Sequence, residues 1–343
     1  MGEMKMSDYE ETAKSPGFKD RKTGLVVFGI LQIIFGGFCV LQIPFMIFVM
    51  IASAFVESSA FETMRPTIMI PAILLYVVLA VWFIWMGFGS IKARRWARAL
   101  VLVTSWIWLV GGIGGLVYLL LFMPDMFDKT RGIEQMPAGA ALIVKYFTIF
   151  FMAVFYVIVP AVLVLFYGSK NVKATCELRD PQVRWTDKCP LPVLALSLIF
   201  GFWAASMLFI GFYGWAIPFF GFVLSGMRGA AVGLGVMLLS ACIAWGTYRL
   251  NIKAWWGAVL LIVGWAVSGS ITFSRVSMLD YYEKMNFPEQ QLEIIKQYSI
   301  PQGYVMALFC GLWLVGFLGY LLYTRRYFVR PAEQEHFSQQ RIP

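Results

Sequence analysis

The sequence predicts an all-α integral membrane protein: eight transmembrane helices as two tandem parallel four-helix repeats, both termini cytoplasmic. Three observations predict it. Of 343 residues, 60% are hydrophobic and 14% charged, and the mean hydropathy is +0.73; soluble domains carry roughly a quarter charged residues. Apolar runs of about twenty residues, enough to cross a bilayer, recur along the whole chain. Short strings also return in the same order in the two halves.

The spans are expected near 24–51, 67–90, 98–122, 142–168, 191–217, 229–250, 255–275 and 302–324. The chain then divides into a cytoplasmic N-terminal tail (1–23), a first membrane repeat (24–168), an inner linker (169–190), a second membrane repeat (191–324) and a cytoplasmic C-terminal tail (325–343). The first 23 residues are polar and mixed in charge, unlike a secretory leader. The first and fifth apolar runs each continue past an Ile-Pro-Phe string. Pro44 and Pro218 remove a backbone donor, so each is expected to kink or end its helix.

Three strings support the duplication. Ile43–Val49 (IPFMIFV) returns as Ile217–Val223 (IPFFGFV). The pair Trp85 and Trp96 returns as Trp245 and Trp256. Met123–Lys129 (MPDMFDK) returns as Met278–Lys284 (MLDYYEK). With four spans in each half, the halves share one orientation and are expected to be related by an axis along the membrane normal.

Loop charge sets that orientation. With the N-terminus inside, most of the 28 basic residues fall on the cytoplasmic side, among them Lys92, Arg94, Arg95, Arg98, Lys170, Lys173, Arg179, Arg184 and Lys188. The net charge of +9 then faces an anionic leaflet and calls for no nucleic acid. This loop pattern fits the cytoplasmic membrane of a bacterium.

Chemistry is sparse. All 19 acidic residues fall in tails or loops, and the single histidine, His336, lies in the C-terminal tail. Intramembrane ionisable groups mark proton relays and ion paths, so a proton-coupled carrier, a pump and an intramembrane metalloenzyme are disfavoured. No phosphate-binding glycine loop is followed by Lys-Ser/Thr. No histidine stands beside a nucleophile, and no cofactor is implied.

Three loop constellations remain. On the outer side, Asp125 and Asp128 are answered by Asp280 and Glu283. Four facing carboxylates would suit a hard divalent cation; the plainer reading is that each string opens a short helix at the headgroup level. On the inner side, Arg94, Arg95 and Arg98 can grip lipid phosphates, or simply obey the charge rule. The linker 169–190 is rich in Asp, Pro, Arg and Trp and is expected to be ordered. Cys176, Arg179, Asp180, Arg184, Trp185 and Cys189 make it the expected docking surface for a protein partner. Two cysteines without a nearby histidine do not make a zinc site. Gly111 with Gly115, and Gly229 with Gly233, have the spacing of close helix contacts.

The functional expectation is a non-enzymatic scaffold, sensor or accessory subunit of a membrane complex, in contact with membrane lipids. The alternative is a transporter or channel for a neutral or amphipathic solute, lipid included, between the repeats.

Overall fold

An apolar chain in lipid must satisfy its backbone internally, and helix does so within one segment. The computed structural model describes residues 18–53, 66–134, 138–287, 289–297 and 304–339. Helices α1 (Lys22–Ser53), α2 (Pro66–Ile91) and α3 (Arg95–Glu134) come first. Helix α4 (Ala138–Met152) runs through a π segment, Ala153–Ile158, into α5 (Val159–Gly168). The linker forms α6 (Lys170–Arg179) and a 3-10 turn, Trp185–Asp187. Helix α7 (Leu191–Ile210) leads to a hairpin of β1 (Ile217–Phe219) and β2 (Phe222–Leu224). Then follow α8 (Gly226–Tyr248), α9 (Ile252–Arg275), α10 (Met278–Lys284), α11 (Glu289–Gln297) and α12 (Tyr304–Gln339).

Among the described residues, 8 helical stretches are long and apolar enough to cross a membrane. They are Lys22–Ala52, Met69–Ile91, Arg95–Leu121, Leu142–Gly168, Leu191–Tyr213, Gly226–Tyr248, Ile252–Arg275 and Leu308–Phe328. Their packing is the reverse of a soluble protein's. Leu165, Phe202, Leu260 and Val315 point outward, while Gln32, Ser90, Ser105, Ser240, Thr247, Ser268, Thr272 and Thr324 are buried. Large contiguous apolar surfaces of this kind are not stable in water. The chain is a multi-pass membrane protein.

The chain forms two compact units. The first takes the chain up to Val40, Val78–Leu120 and Tyr146–Lys188; the second takes Leu41–Val77, Leu121–Lys145 and the chain from Cys189 onward. In the first unit α1 and α2 cross at Gly29 and Gly87. A Cβ on either would collide with the other's carbonyl oxygen, at 2.8 and 2.7 Å. In the second, Val193, Leu196 and Phe200 of α7, Ile243 of α8, Trp255, Ala258 and Ile262 of α9, and Leu321 and Phe328 of α12 form one buried core.

The two Ile-Pro-Phe strings fold differently. Pro44 lies inside α1, which continues to Ser53 instead of ending there. The second string is not helical: α7 ends at Ile210, a single 3-10 turn follows, and Pro218 sits in β1. Glycine makes the difference. Gly214 takes the left-handed conformation (φ 68) that stops a helix. Gly221, at φ 99, turns the hairpin where the first Ile-Pro-Phe string has Ile47. A β-branched residue does not adopt that backbone conformation. The expected fifth span, 191–217, is therefore cut short.

The turns before α3 and α9 are built alike, but not in the register the tryptophans imply. Ala93 (φ 50) donates to Ser90 O at 2.8 Å and Arg94 to Gly89 O at 2.9 Å. Leu250 (φ 57) donates to Thr247 O and Asn251 to Gly246 O, both at 2.9 Å. Both are the left-handed helix ending in which consecutive amides cover the last carbonyls. Gly89 packs beneath Ala97 and Gly246 beneath Ala254. One residue further on, Arg98 Nε donates to Tyr167 O and Trp255 Nε1 to Leu321 O, each at 3.0 Å. By this geometry Arg98 corresponds to Trp255, and Trp96 to Lys253.

The glycine expectation is also corrected. Among the described residues, a Cβ added at Gly111 or Gly115 would meet nothing within 4 Å; it is Gly112 that lies against the Tyr156 backbone. Gly229 and Gly233 make room for Trp215 and Ile217 of the hairpin segment.

Candidate functional site

The described side chains come together most densely around Asp180, at the end of α6. Ser169 caps the start of α6 by accepting from Val172 N at 3.3 Å, and Val172, Thr175 and Cys176 face inward. That seats the helix end beside the start of α3. Asp180 is 1% exposed. Arg184 grips it with two nitrogens, Nη2 to Oδ1 at 2.7 Å and Nε to Oδ2 at 3.0 Å. Arg94 Nη1 lies 3.3 Å from Oδ1, and the backbone amide of Arg95 donates to Oδ2 at 3.3 Å. Two-pronged arginine contacts are the strong form of this interaction. They hold the Asp180 carboxyl below its ordinary range: the Arg184 hydrogen bonds outweigh burial, helped by the Arg95 amide and Arg94.

The Arg95 amide explains why the carboxylate is there. The first amides of a helix lack partners and attract a negative group. In the second half Asn251 caps α9 with its own side chain, accepting from Lys253 N at 2.9 Å. In the first half that position is Arg94, which cannot accept a hydrogen bond. The linker supplies the acceptor instead.

The linker also holds the entry to α1. Arg179 Nη2 pairs with Asp20 at 2.8 Å, and Arg21 N donates to Thr175 Oγ1 at 3.1 Å. The Arg179 contact pulls the Asp20 carboxyl below its usual range. Arg95 Nη1 stands 3.9 Å from Asp187, whose carboxylate accepts from Arg184 N at 3.0 Å and shapes the 3-10 turn. One helix thus braces the starts of two spans.

Of the residues singled out in sequence, Arg94, Arg95, Asp180 and Arg184 meet in one cluster. Arg98 serves elsewhere, on Tyr167 O. Cys176 and Cys189 are buried free thiols, each raised by burial to about 11. Leu178 is 63% and Val183 71% exposed, and Trp185 is also exposed. On the other side, Asp280 and Ser277 cap α10 reciprocally, Ser277 Oγ accepting from Asp280 N at 3.0 Å. Glu283 is exposed on the same helix. The side chains of Asp125 and Asp128 lie outside the described residues. Among the described residues no three His, Cys, Asp or Glu side chains gather as a metal site would require.

A second polar feature lies inside the first unit. Ser90 Oγ donates to Leu25 O at 2.9 Å, Tyr167 OH donates to Ser90 Oγ at 2.5 Å, and Gln32 Nε2 donates to Tyr167 OH at 3.4 Å. Gln32 Oε1, at the head of this chain, has no hydrogen-bond partner among the described residues. Gln32 and Ser90 are visible in sequence as polar residues within spans. Their joining through Tyr167 is not, since nothing local marks a tyrosine near a span end as buried.

The Asp180 carboxylate is engaged by Arg184, Arg94 and the Arg95 amide in holding the linker. No protein-family model, curated protein or solved structure matches the chain.

Proposed function

We propose that the protein is a non-enzymatic scaffold or accessory subunit of a membrane complex, which docks a protein partner on its inner linker. The observation that carries this reading is the contrast within 169–190. Asp180 is locked by Arg94, Arg95 and Arg184, while Leu178, Val183 and Trp185 stay exposed. A connector that only had to span two repeats would need neither the lock nor apolar side chains on its surface. Ordered loops with apolar residues outside are where partners bind.

In this reading the chain is two tandem four-helix repeats with both termini in the cytoplasm, in the cytoplasmic membrane of a bacterium. The matching turns at Gly89–Arg98 and Gly246–Trp255 support duplication. The basic linker and Lys92 support the orientation. Arg94 is half-buried and keeps donors beyond the one on Asp180, so it remains the best of the three arginines for a lipid phosphate.

The test is native mass spectrometry of the protein released from its own membrane. A stoichiometric protein partner, lost from Leu178→Ser/Val183→Ser, is the expected result. A wild-type protein that travels alone, and moves a solute in liposomes by itself, would overturn the scaffold reading. That outcome would favour transport of a neutral solute, for which the buried chain ending at Gln32 Oε1 offers one unpaired acceptor.

A further inference from the structure

The hairpin of β1 and β2 is placed at membrane depth by the helix it rests on. Ser268 Oγ accepts from Phe220 N at 2.9 Å and donates to Pro218 O at 3.0 Å. Thr272 Oγ1, one turn further along α9, accepts from Gly221 N at 3.0 Å. Beyond it, the Arg275 guanidinium lies 3.1 Å from where a Gly221 Cβ would stand. Ser268 and Thr272 belong to the apolar span Ile252–Arg275. At 1.5 Å per residue, Ser268 lies roughly 10 Å short of the span's charged end. The hairpin therefore runs beside the last two turns of a transmembrane helix.

Non-helical backbone survives at that depth only where its polar groups are satisfied. Here they are: the strands pair Ile217 with Leu224 and Phe219 with Phe222, Ser268 and Thr272 cover the turn, and Tyr281 OH donates to Ala216 O at 3.2 Å. Charge is absent as well, for no ionisable Asp, Glu, Lys, Arg or His occurs from Gly211 to Met227. Yet the three phenylalanines turn away from the protein, while Ile217 faces into it. Phe219, Phe220 and Phe222 are all exposed, Phe222 at 68%, and Met227 follows at the start of α8. Phe220 is held at φ 41, a conformation bulky residues avoid. The turn keeps an aromatic ring at its tip despite that strain.

We propose that this hairpin is inserted into lipid. Phe219, Phe220 and Phe222 lie among phospholipid acyl chains in the leaflet where α7 ends and α8 begins, and Arg275 sits at the phosphate level beside the tip. The occupant is lipid rather than water, because the span fixes the depth and the hairpin itself carries no charge, the nearest being Arg275 beside the tip and the exposed Arg228 after Met227. It is lipid rather than a protein partner, because the exposed rings continue the lipid-facing surface of the flanking spans. Phenylalanine rings with an arginine at the boundary match the layered chemistry of the headgroup region.

The test uses the full-length protein, with native cysteines replaced, carrying Phe222→Cys labelled with a small fluorophore. It is reconstituted in vesicles of phosphatidylcholine and phosphatidylglycerol brominated along the acyl chain. Leu260→Cys, on a lipid-facing span, and Lys92→Cys, on a loop, calibrate the two extremes. The expected result is quenching by the brominated lipid within twofold of Leu260→Cys, with protection from aqueous iodide. Met227→Cys reports on the same surface if Phe222→Cys fails to fold. Iodide quenching equal to that of Lys92→Cys would place the hairpin in water and overturn the proposal. Protection from both quenchers would show protein over the tip and overturn it equally.

Discussion

Asp180 accepts the first backbone amide of α3 from Arg95, 85 residues earlier in the chain. It thereby does for the third span what Asn251 does locally for the seventh. Arg94 fills the capping position without an acceptor, and its guanidinium instead pairs with the carboxylate that replaces it. A shortage at one end of a helix is thus tied to the fold of the linker.

Removing that carboxylate has a defined effect and a defined rescue. Asp180→Ala should lower stability by about 2 kcal/mol, the sum of a lost cap and a partly exposed ion pair. Arg94→Asn gives α3 a local cap like Asn251, and in the Asp180→Ala background should restore about 1 kcal/mol. Denaturant unfolding in detergent, followed by tryptophan fluorescence, measures both. If the double variant is no more stable than the single one, the capping account is wrong.

The same contact predicts an acid limb. The folded-state value of Asp180 is depressed below 3.8, so the ionised form is favoured by folding. Its contribution is present above the unfolded-chain value and is lost as pH falls through the lower folded value. Wild type and Asp180→Asn should differ at pH 7 by about 1–2 kcal/mol and converge below about pH 4. A gap that holds constant down to pH 3 would show that charge plays no part.

Gly221→Ile writes Ile47 of the first Ile-Pro-Phe string into the second string. The new side chain cannot keep φ at 99, so the hairpin turn should be lost at about 1–3 kcal/mol. Gly221→Ala is the informative companion. Its Cβ would meet the flexible Arg275 side chain at 3.1 Å and Ile271 Cγ2 at an ordinary 3.5 Å, so most of any loss comes from the backbone angle. In mild detergent, where the hairpin is no longer shielded by lipid, protease cleavage between Gly214 and Ser225 should appear in the isoleucine variant and not in wild type; an unchanged digest there would count against the turn.

Cys176 and Cys189 should be silent toward water-soluble maleimide in the folded protein. Burial raises both to about 11, so at pH 7.5 neither carries appreciable thiolate. Intact mass after brief labelling should show no adduct on either until denaturant is added. Rapid native-state modification at either position would mean that the linker opens.

The spans were legible because length and apolarity are sufficient signals in lipid. The hairpin was not, because a short apolar run such as Ile217–Val223 reads equally as helix or strand. The deciding residues were nonetheless present: Gly214 and Gly221 have no glycine at the matching positions of the first Ile-Pro-Phe string, Val40 and Ile47. The tryptophan spacing differs by three residues from the register of the two similar turns before α3 and α9, since a large aromatic at an interface is common to many loops. Gly89 with Ala97, and Gly246 with Ala254, were the better guides, because that packing tolerates nothing larger than glycine. The order expected of the linker could be sensed from its composition. Its partners Asp20, Arg94 and Arg95 could not, for they are distant in sequence and no local pattern names them.

The capping of α3 from the linker has a consequence for how the chain is made. Domains tend to fold in the order they are synthesised. A nascent chain halted at Gly168 already holds four apolar spans, yet the amide of Arg95 still awaits an acceptor not yet translated. The contacts that brace the first and third spans are complete only once the ribosome has passed Arg184. Two fragments divided after Lys188 should therefore assemble when co-expressed, whereas fragments divided after Gly168 should leave the N-terminal piece open to degradation.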